Sequence, residues 1–151
     1  MNLAVIGTNF YHSSIEKRDL VSFSDTKKLE MYELMDDIGI DYGVIVSTCN
    51  RSELYFLYEK EEQLEQLQQV YLDFFHLKKE DIQLLLYKQK QALYYLFEVC
   101  AGIRSLVIGE DQILGQMVES MEFAQRQGKM NKILNRMFQD AITCAKQIRS
   151  K

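Results

Sequence analysis

Two strand-like segments, residues 43–46 and 54–58, flank a seven-residue polar stretch. The first segment is the continuous apolar run Gly-Val-Ile-Val, and the second is the alternating run Leu-Tyr-Phe-Leu-Tyr. Segments of this length and composition predict two strands joined by a short connection. The polar stretch, residues 47–53, reads Ser-Thr-Cys-Asn-Arg-Ser-Glu and therefore places a thiol between the two strands.

Cys49 lies just past the end of the apolar run, with Arg51 two residues further along the chain. A neighbouring guanidinium favours the thiolate form of cysteine, and the thiolate is the nucleophile in covalent catalysis. The alternative is a structural cysteine in a tight connection, because lone cysteines commonly behave as small hydrophobic residues. The spacing alone leaves both interpretations open.

The other segments extend this pair into a β-α-β-β-α-β order. The predicted strands are residues 3–8, 44–48, 54–58 and 81–87, and the predicted helices are residues 25–38 and 61–75. This order is typical of the ferredoxin-like fold, an antiparallel sheet with helices on one face. After them come three stretches in which apolar residues recur at helical spacing, and these predict three further helices. The predicted fold class is therefore α+β, in one domain, with a core of about residues 1–88 and a C-terminal helical extension of about residues 89–151.

Composition and cysteine spacing limit the class of protein. The chain has 151 residues, of which 47% are hydrophobic and 26% are charged, as in soluble globular domains. We expect no membrane segment, since no stretch approaches the ~20 apolar residues that a span requires. Three widely spaced cysteines indicate free thiols in a reducing compartment, which predicts a cytoplasmic protein. They do not cluster with His12 or His76, so we predict no metal site.

Charge is distributed unevenly along the chain. Residues 126–151 hold seven basic residues against Asp140 alone, a net charge of +6, whereas residues 1–125 carry a net charge of −10. A basic segment on an acidic body can attract a phosphate backbone. The alternative is a solvated helix face, and the sequence does not decide between them.

A second polar stretch lies between two helical stripes. In it, Glu110 and Asp111 directly precede Gln112, and Gln116 follows four residues later, on the same face if a helix begins there. Carboxylates and amides together suit a small ligand that carries both an amine and a carboxylate. The alternative is a helix N-terminus with favourable acids in its first turn. No glycine-rich dinucleotide fingerprint or P-loop is present.

Taken together, residues 47–55 and 105–116 resemble the corresponding stretches of glutamyl-tRNA reductase. The opening residues 5–7 and residues 14–18 are also similar to that family, so the resemblance covers essentially the whole chain. It implies an oxidoreductase that converts glutamyl-tRNA to glutamate-1-semialdehyde with NADPH, at the entry to tetrapyrrole (porphyrin and 5-aminolevulinate) biosynthesis. In such enzymes a cysteine thiolate attacks the aminoacyl ester and forms a glutamyl thioester.

The resemblance also implies roles for individual residues. By position, Cys49 matches the nucleophile, and Thr48, Asn50 and Arg51 match substrate contacts, with Arg51 suited to a carboxylate. The rest of the implied glutamate pocket consists of Ser105, Glu110, Asp111, Gln112 and Gln116.

Two positions depart from the family pattern. Tyr95 stands where the family has a histidine that assists catalysis, and Arg104 stands where the family usually has an acid. Neither His12 nor His76 fits the missing place. Helical spacing predicts that Tyr95 lies off the centre of a buried stripe, with its hydroxyl in a polar cleft. One alternative is therefore a non-catalytic relative that binds glutamyl-tRNA or a partner protein, and another is a plain thiol esterase.

Members of the family continue into an NADPH-binding domain and a helical dimerisation domain. This chain ends at Lys151, near the expected start of the first of them. The resemblance therefore implies that both domains, and with them the NADPH site, are absent from this chain. It implies glutamyl-tRNA as substrate, a homodimer in the full-length family, and glutamate-1-semialdehyde aminomutase as a further partner.

Overall fold

The computed structural model describes residues 1–9, 20–103 and 112–149 of the chain. The strands are β1 (Asn2–Asn9), β2 (Gly43–Ser47), β3 (Arg51–Tyr58) and β4 (Leu85–Lys88). The helices are α1 (Asp25–Asp37), α2 (Glu62–Phe74), α3 (Lys90–Ala101), α4 (Ile113–Arg126) and α5 (Lys132–Arg149). None of these helices is both long enough and apolar enough to cross a membrane.

The four strands form one antiparallel sheet in the order β2-β3-β1-β4. The two central strands, β1 and β3, pair along their full length, from Asn2 opposite Tyr58 to Asn9 opposite Arg51. Because β3 lies between β2 and β1, and β1 lies between β3 and β4, this is the predicted split βαβ topology. The predicted α+β fold class, with a ferredoxin-like sheet and a helical extension, is confirmed.

Helices cover both faces of this sheet. On one face, the Tyr71 hydroxyl of α2 donates a hydrogen bond of 2.9 Å to the Ser52 carbonyl of β3. On the other face, the Tyr55 ring packs against Tyr95 of α3 and Phe138 of α5, with centroid distances of 6.4 and 5.8 Å. All eight residues of β3 are buried as a result. The helical extension is therefore the second layer of the molecule, a role that the sequence did not predict.

Several element boundaries differ from the prediction. Strand β3 begins at Arg51 instead of residue 54, so the polar connection is shorter than the sequence indicated. Strand β4 begins only at Leu85, because Asp81 belongs to a turn in which its carboxylate accepts a 2.8 Å hydrogen bond from the Lys78 amide. Ser24 caps helix α1, since its hydroxyl accepts a hydrogen bond of 3.2 Å from the Lys27 amide. The stretch Ser-Ser-Ile-Glu at residues 13–16 predicts a further helix start, but it lies outside the described residues.

Gly7 allows β1 and β3 to approach each other closely. Its φ angle is +148°, and a β-carbon built there would lie 2.2 Å from the Ser52 carbonyl oxygen and 2.7 Å from the Glu53 α-carbon. Both neighbours are backbone atoms of the paired strand, which cannot move aside without breaking the sheet. Glycine is the residue that fits this position.

Candidate functional site: an exposed thiol above a buried ion pair

Cys49 occupies the centre of a three-residue hairpin loop between β2 and β3. The Thr48 amide donates to the Arg51 carbonyl at 2.8 Å, and the Asn50 amide donates to the Thr48 hydroxyl at 3.1 Å. These bonds fix the loop on both sides of the cysteine. The Cys49 side chain is exposed, whereas Asn50 is buried and Thr48 is half-buried. The thiol is thus exposed to solvent at the centre of a loop that two hydrogen bonds hold in place.

Directly below the loop, Arg51 and Glu53 form an ion pair inside the protein. The Arg51 Nη1 atom lies 3.1 Å from the Glu53 Oε1 atom, and both side chains are 0% exposed. The two residues alternate along β3 and therefore share the face that packs against α3. The sequence placed Arg51 in the turn beside the thiol, but the structure places it in the strand. The predicted contact of its guanidinium with a substrate carboxylate stays a prediction.

Tyr95 closes the ion pair from the side of α3. Its hydroxyl donates a hydrogen bond to the Glu53 carboxylate and accepts one of 3.1 Å from Arg51 Nη1. Burial, followed by the nearby Glu53 charge, raises the pKa of Tyr95 well above its ordinary value. The predicted position off the centre of the buried stripe is wrong, because the side chain is only 2% exposed and lies on the buried face of the helix. The polar surroundings of the hydroxyl are as predicted, but they are enclosed.

Asn9 and Tyr55 complete the network around Glu53. The Asn9 amide donates to the Tyr95 hydroxyl at 2.8 Å and to Glu53 at 3.3 Å, and the Tyr55 hydroxyl donates to Glu53 at 2.9 Å. The sequence interpretation missed Asn9, Glu53 and Tyr55. The signal for two of them was present, since Arg51, Glu53 and Tyr55 recur at every second residue and therefore lie on one face of a strand.

Comparison with known proteins identifies the family. A family model described as "Glutamyl-tRNAGlu reductase, N-terminal domain" matches residues 6–151. The chain belongs to the glutamyl-tRNA reductase family. The resemblance found in its sequence is confirmed.

Individual relatives agree with this assignment. The chain is 38% identical to a glutamyl-tRNA reductase of Clostridium novyi over 99% of its own length and 37% of the relative's. It is 36% identical to one of Bacillus subtilis over 97% of its length and 33% of the relative's. The solved structure of glutamyl-tRNA reductase from Methanopyrus kandleri matches with a TM-score of 0.81 and 24% identity, over 98% of this chain and 34% of that one. The chain thus spans about a third of the length of the relatives it matches.

The residues implied by membership of the glutamyl-tRNA reductase family fall into three groups in the structure. Thr48, Cys49, Asn50 and Arg51 are together in the hairpin, and Tyr95 contacts Arg51. Gln116 borders a pocket of about 370 Å³ that also includes Ser47, whereas Gln112 is exposed at the start of α4. Ser105, Glu110 and Asp111 lie outside the described residues, as does Arg104.

Two basic residues of segment 126–151 are paired with acids of the same chain. The Lys129 Nζ atom lies 2.6 Å from Asp36, and the exposed Arg136 lies 3.1 Å from Asp140. Lys132 is exposed, as the prediction of a phosphate-binding surface requires. The contact of this segment with tRNA stays a prediction. In the part of the chain that the structure describes, no three His, Cys, Asp or Glu side chains are grouped to hold a metal ion.

We predict that an alkylating reagent at neutral pH labels Cys49 first, Cys144 more slowly and Cys100 last. Cys49 is exposed, Cys144 is partly buried, and Cys100 is fully buried. Burial also raises the pKa of the Cys100 thiol to about 12, which leaves it protonated and unreactive at neutral pH. Peptide mapping after limited iodoacetamide treatment gives the order, and earlier labelling of Cys100 would contradict it.

Proposed function

We propose that this chain binds glutamyl-tRNA and forms a glutamyl thioester on Cys49. The proposed step is the first half of the NADPH-dependent reduction of glutamyl-tRNA to glutamate-1-semialdehyde. The observation that carries the proposal is the exposed thiol at the centre of a hairpin loop held on both sides by hydrogen bonds. It occurs in a family whose members are named for this reaction.

The chemistry of the step is acyl transfer. The Cys49 thiolate attacks the carbonyl carbon of the aminoacyl ester, and a carbon–sulfur bond forms. The bond between that carbon and the ribose oxygen breaks, and the oxygen leaves with a proton from the surroundings. No electrons are gained or lost at this stage. Bound NADPH supplies the hydride that later releases the aldehyde. We assign no residue of this chain to NADPH binding.

The buried network supports the nucleophile mechanically. Arg51 lies two residues after Cys49, and its guanidinium is held by Glu53 and Tyr95. This anchors the end of the loop at the start of β3. We propose Thr48 and Asn50 as substrate contacts beside the thiol. The remaining predicted pocket residues, Ser105, Glu110, Asp111, Gln112 and Gln116, belong to the same proposal.

Tyr95 favours a second candidate function, that of a glutamyl-tRNA-binding relative that acylates without turnover. The hydroxyl of Tyr95 is enclosed by Glu53, Arg51 and Asn9, and its pKa is raised further from neutrality by burial. A group of this kind donates a hydrogen bond but does not exchange protons near pH 7, as a histidine does. Under this proposal, Cys49 becomes acylated once and the thioester persists.

The test is incubation of the chain with glutamyl-tRNA that carries ¹⁴C-glutamate, followed by mass spectrometry of the labelled peptide. We expect about one label per chain on Cys49 and none in Cys49→Ser. Cys144→Ser is the matched control, because it removes a thiol that lies outside the loop, and we expect it to label like the unmodified chain. Label that persists in Cys49→Ser would contradict the nucleophile assignment.

The rate of glutamate release in Tyr95→His separates the two candidates. Both expect a single burst of acylation in the unmodified chain, whereas continuous release of glutamate indicates a thiol esterase. Faster release in Tyr95→His favours the second candidate, since a histidine exchanges protons near pH 7, and unchanged release favours the first. We propose a cytoplasmic location, a homodimer and association with glutamate-1-semialdehyde aminomutase for the longer protein form of the family. This chain spans about a third of the length of the relatives it matches.

A further inference from the structure

We propose that the α1–α4 pocket, the polar pocket of about 370 Å³ between helices α1 and α4, binds the 3′-terminal nucleoside of the tRNA. This inference rests on the proposed function, since it assigns a site to the leaving group of the acyl transfer. The pocket shares no lining residue with the buried network of Arg51, Glu53 and Tyr95, and Ser47, which lines it, is the last residue of β2 before the hairpin loop. Its lining includes Lys28 of α1, Ser47 of β2, and Phe123 and Arg126 of α4.

The position of the pocket relative to Cys49 is the first argument. Ser47 lines the pocket and stands two residues before the nucleophile. Two residues span at most about 7 Å of backbone. In an aminoacyl-tRNA the reacting ester is carried by the ribose of the last nucleoside. That nucleoside must therefore lie next to Cys49 when the thiolate attacks, and Ser47 brings one edge of the α1–α4 pocket to the start of the loop that carries Cys49.

The second argument is the arrangement of aromatic and cationic groups. Lys28 Nζ lies 4.9 Å from the centre of the Phe123 ring, and Arg126 Cζ lies 5.8 Å from the same centre. Single-stranded nucleic acids are bound by such combinations, in which bases stack on aromatic rings and guanidinium planes while cations attract the backbone. Lys28 is already partly desolvated, and burial lowers its pKa below the ordinary lysine value.

The third argument is the presence of carboxylates among the cations. Asp25, Glu119 and Glu122 also line the pocket. These groups accept hydrogen bonds from ribose hydroxyls and from the amino group of a base, and they repel an isolated phosphate. The mixed lining therefore fits a nucleoside better than a free phosphate or pyrophosphate.

The test measures binding of the RNA trinucleotide 5′-CCA-3′, labelled with fluorescein at its 5′ end, by fluorescence anisotropy. We expect Lys28→Gln and Arg126→Gln each to raise the Kd about tenfold, the loss of about one favourable stacking or charge contact. Lys146→Gln is the matched control, because it removes an exposed cation of the same basic segment that does not line the pocket. We expect it to leave the Kd within about twofold.

Two results would overturn the proposal. One is a change in Kd that is the same for all three substitutions. An equal rise would show a general charge effect, and no change in any of them would show that the trinucleotide binds elsewhere. The other is the absence of binding by the unmodified chain at millimolar trinucleotide. Thermal unfolding of each variant shows whether the fold is retained. If Lys28→Gln is unstable, the Kd of Arg126→Gln alone tests the proposal, because Arg126 is exposed and its substitution should leave the fold intact.

A separate measurement keeps this inference apart from the proposed function. A benzyl thioester of glutamate carries the acyl group but no nucleoside. We expect the pocket variants to be acylated by it at the rate of the unmodified chain, while their acylation by glutamyl-tRNA falls about tenfold. Trinucleotide binding that depends on Lys28 and Arg126, together with no acylation of Cys49 by either donor, would support the pocket and overturn the thioester proposal.

Discussion

Glu53→Gln is expected to lower the free energy of unfolding by about 3–5 kcal/mol, the usual cost of removing one partner of a buried ion pair. The substitution keeps the size of the side chain but leaves the Arg51 charge without its carboxylate in a site that is 0% exposed. Glutamine also has one oxygen where the carboxylate uses two to accept from Arg51, Tyr55, Tyr95 and Asn9. Urea denaturation gives the change in the free energy of unfolding.

Asp140→Asn is the matched control for Glu53→Gln. It removes the acid of an ion pair of the same length, 3.1 Å, between Arg136 and Asp140 on the exposed face of α5. Exposed pairs of this spacing contribute only about 0.3–0.5 kcal/mol, so we expect little change. Similar losses for the two substitutions would show that the network around Glu53 is not the stabilising element that its burial indicates.

Gly7→Ala is expected to destabilise the protein by about 3 kcal/mol or more, the sum of backbone strain and overpacking. The added methyl group would lie 2.2 Å from the Ser52 carbonyl oxygen, in the middle of the pairing between β1 and β3. The φ angle of +148° is also unfavourable for a residue with a β-carbon. The midpoint of thermal unfolding, or the loss of soluble protein on expression, measures the effect.

Gly115→Ala is the control for Gly7→Ala. Gly115 lies in α4, and a β-carbon built there meets no atom within 4 Å. Gly115 is the third residue of α4, and the preference for alanine over glycine is at most the roughly 0.5–1 kcal/mol of a helix interior, so this variant should unfold at an equal or slightly higher denaturant concentration. A destabilised Gly115→Ala would contradict the helical geometry of this position.

The topology of the sheet was predictable because the spacing of apolar residues identifies each strand and helix locally, and the order of these elements can be read along the chain. The alternating run at residues 54–58 and the helical stripes on either side specify the elements, and the β-α-β-β-α-β order leaves few sheets to consider. The second helical layer was not predictable in this way. It depends on contacts such as that of Tyr55 with Phe138, which lie more than 80 residues apart and have no periodic signature.

The candidate site was predictable where it depends on a continuous motif. Residues 47–51 form the hairpin that the spacing of apolar and polar residues indicated. The enclosure of Arg51 was not predictable, because it requires the side chains of Asn9, Glu53 and Tyr95 from three different elements. An arginine two residues from a cysteine reads as part of the same polar turn until the strand register shows that it points into the core.

The order in which the strands appear along the chain has a consequence for folding during synthesis. Strand β1 leaves the ribosome first, but its partners are residues 51–58 on one side and residues 85–88 on the other. The side chains of Arg51 and Glu53 cannot be enclosed until Tyr95 of α3, which hydrogen-bonds both of them, has been synthesised. Since such distant pairings must close before they contribute, we expect the nascent chain to acquire its native sheet late and in one cooperative step. A ribosome-bound chain stopped at residue 88 should therefore remain sensitive to protease, whereas one stopped beyond α5 should resist it.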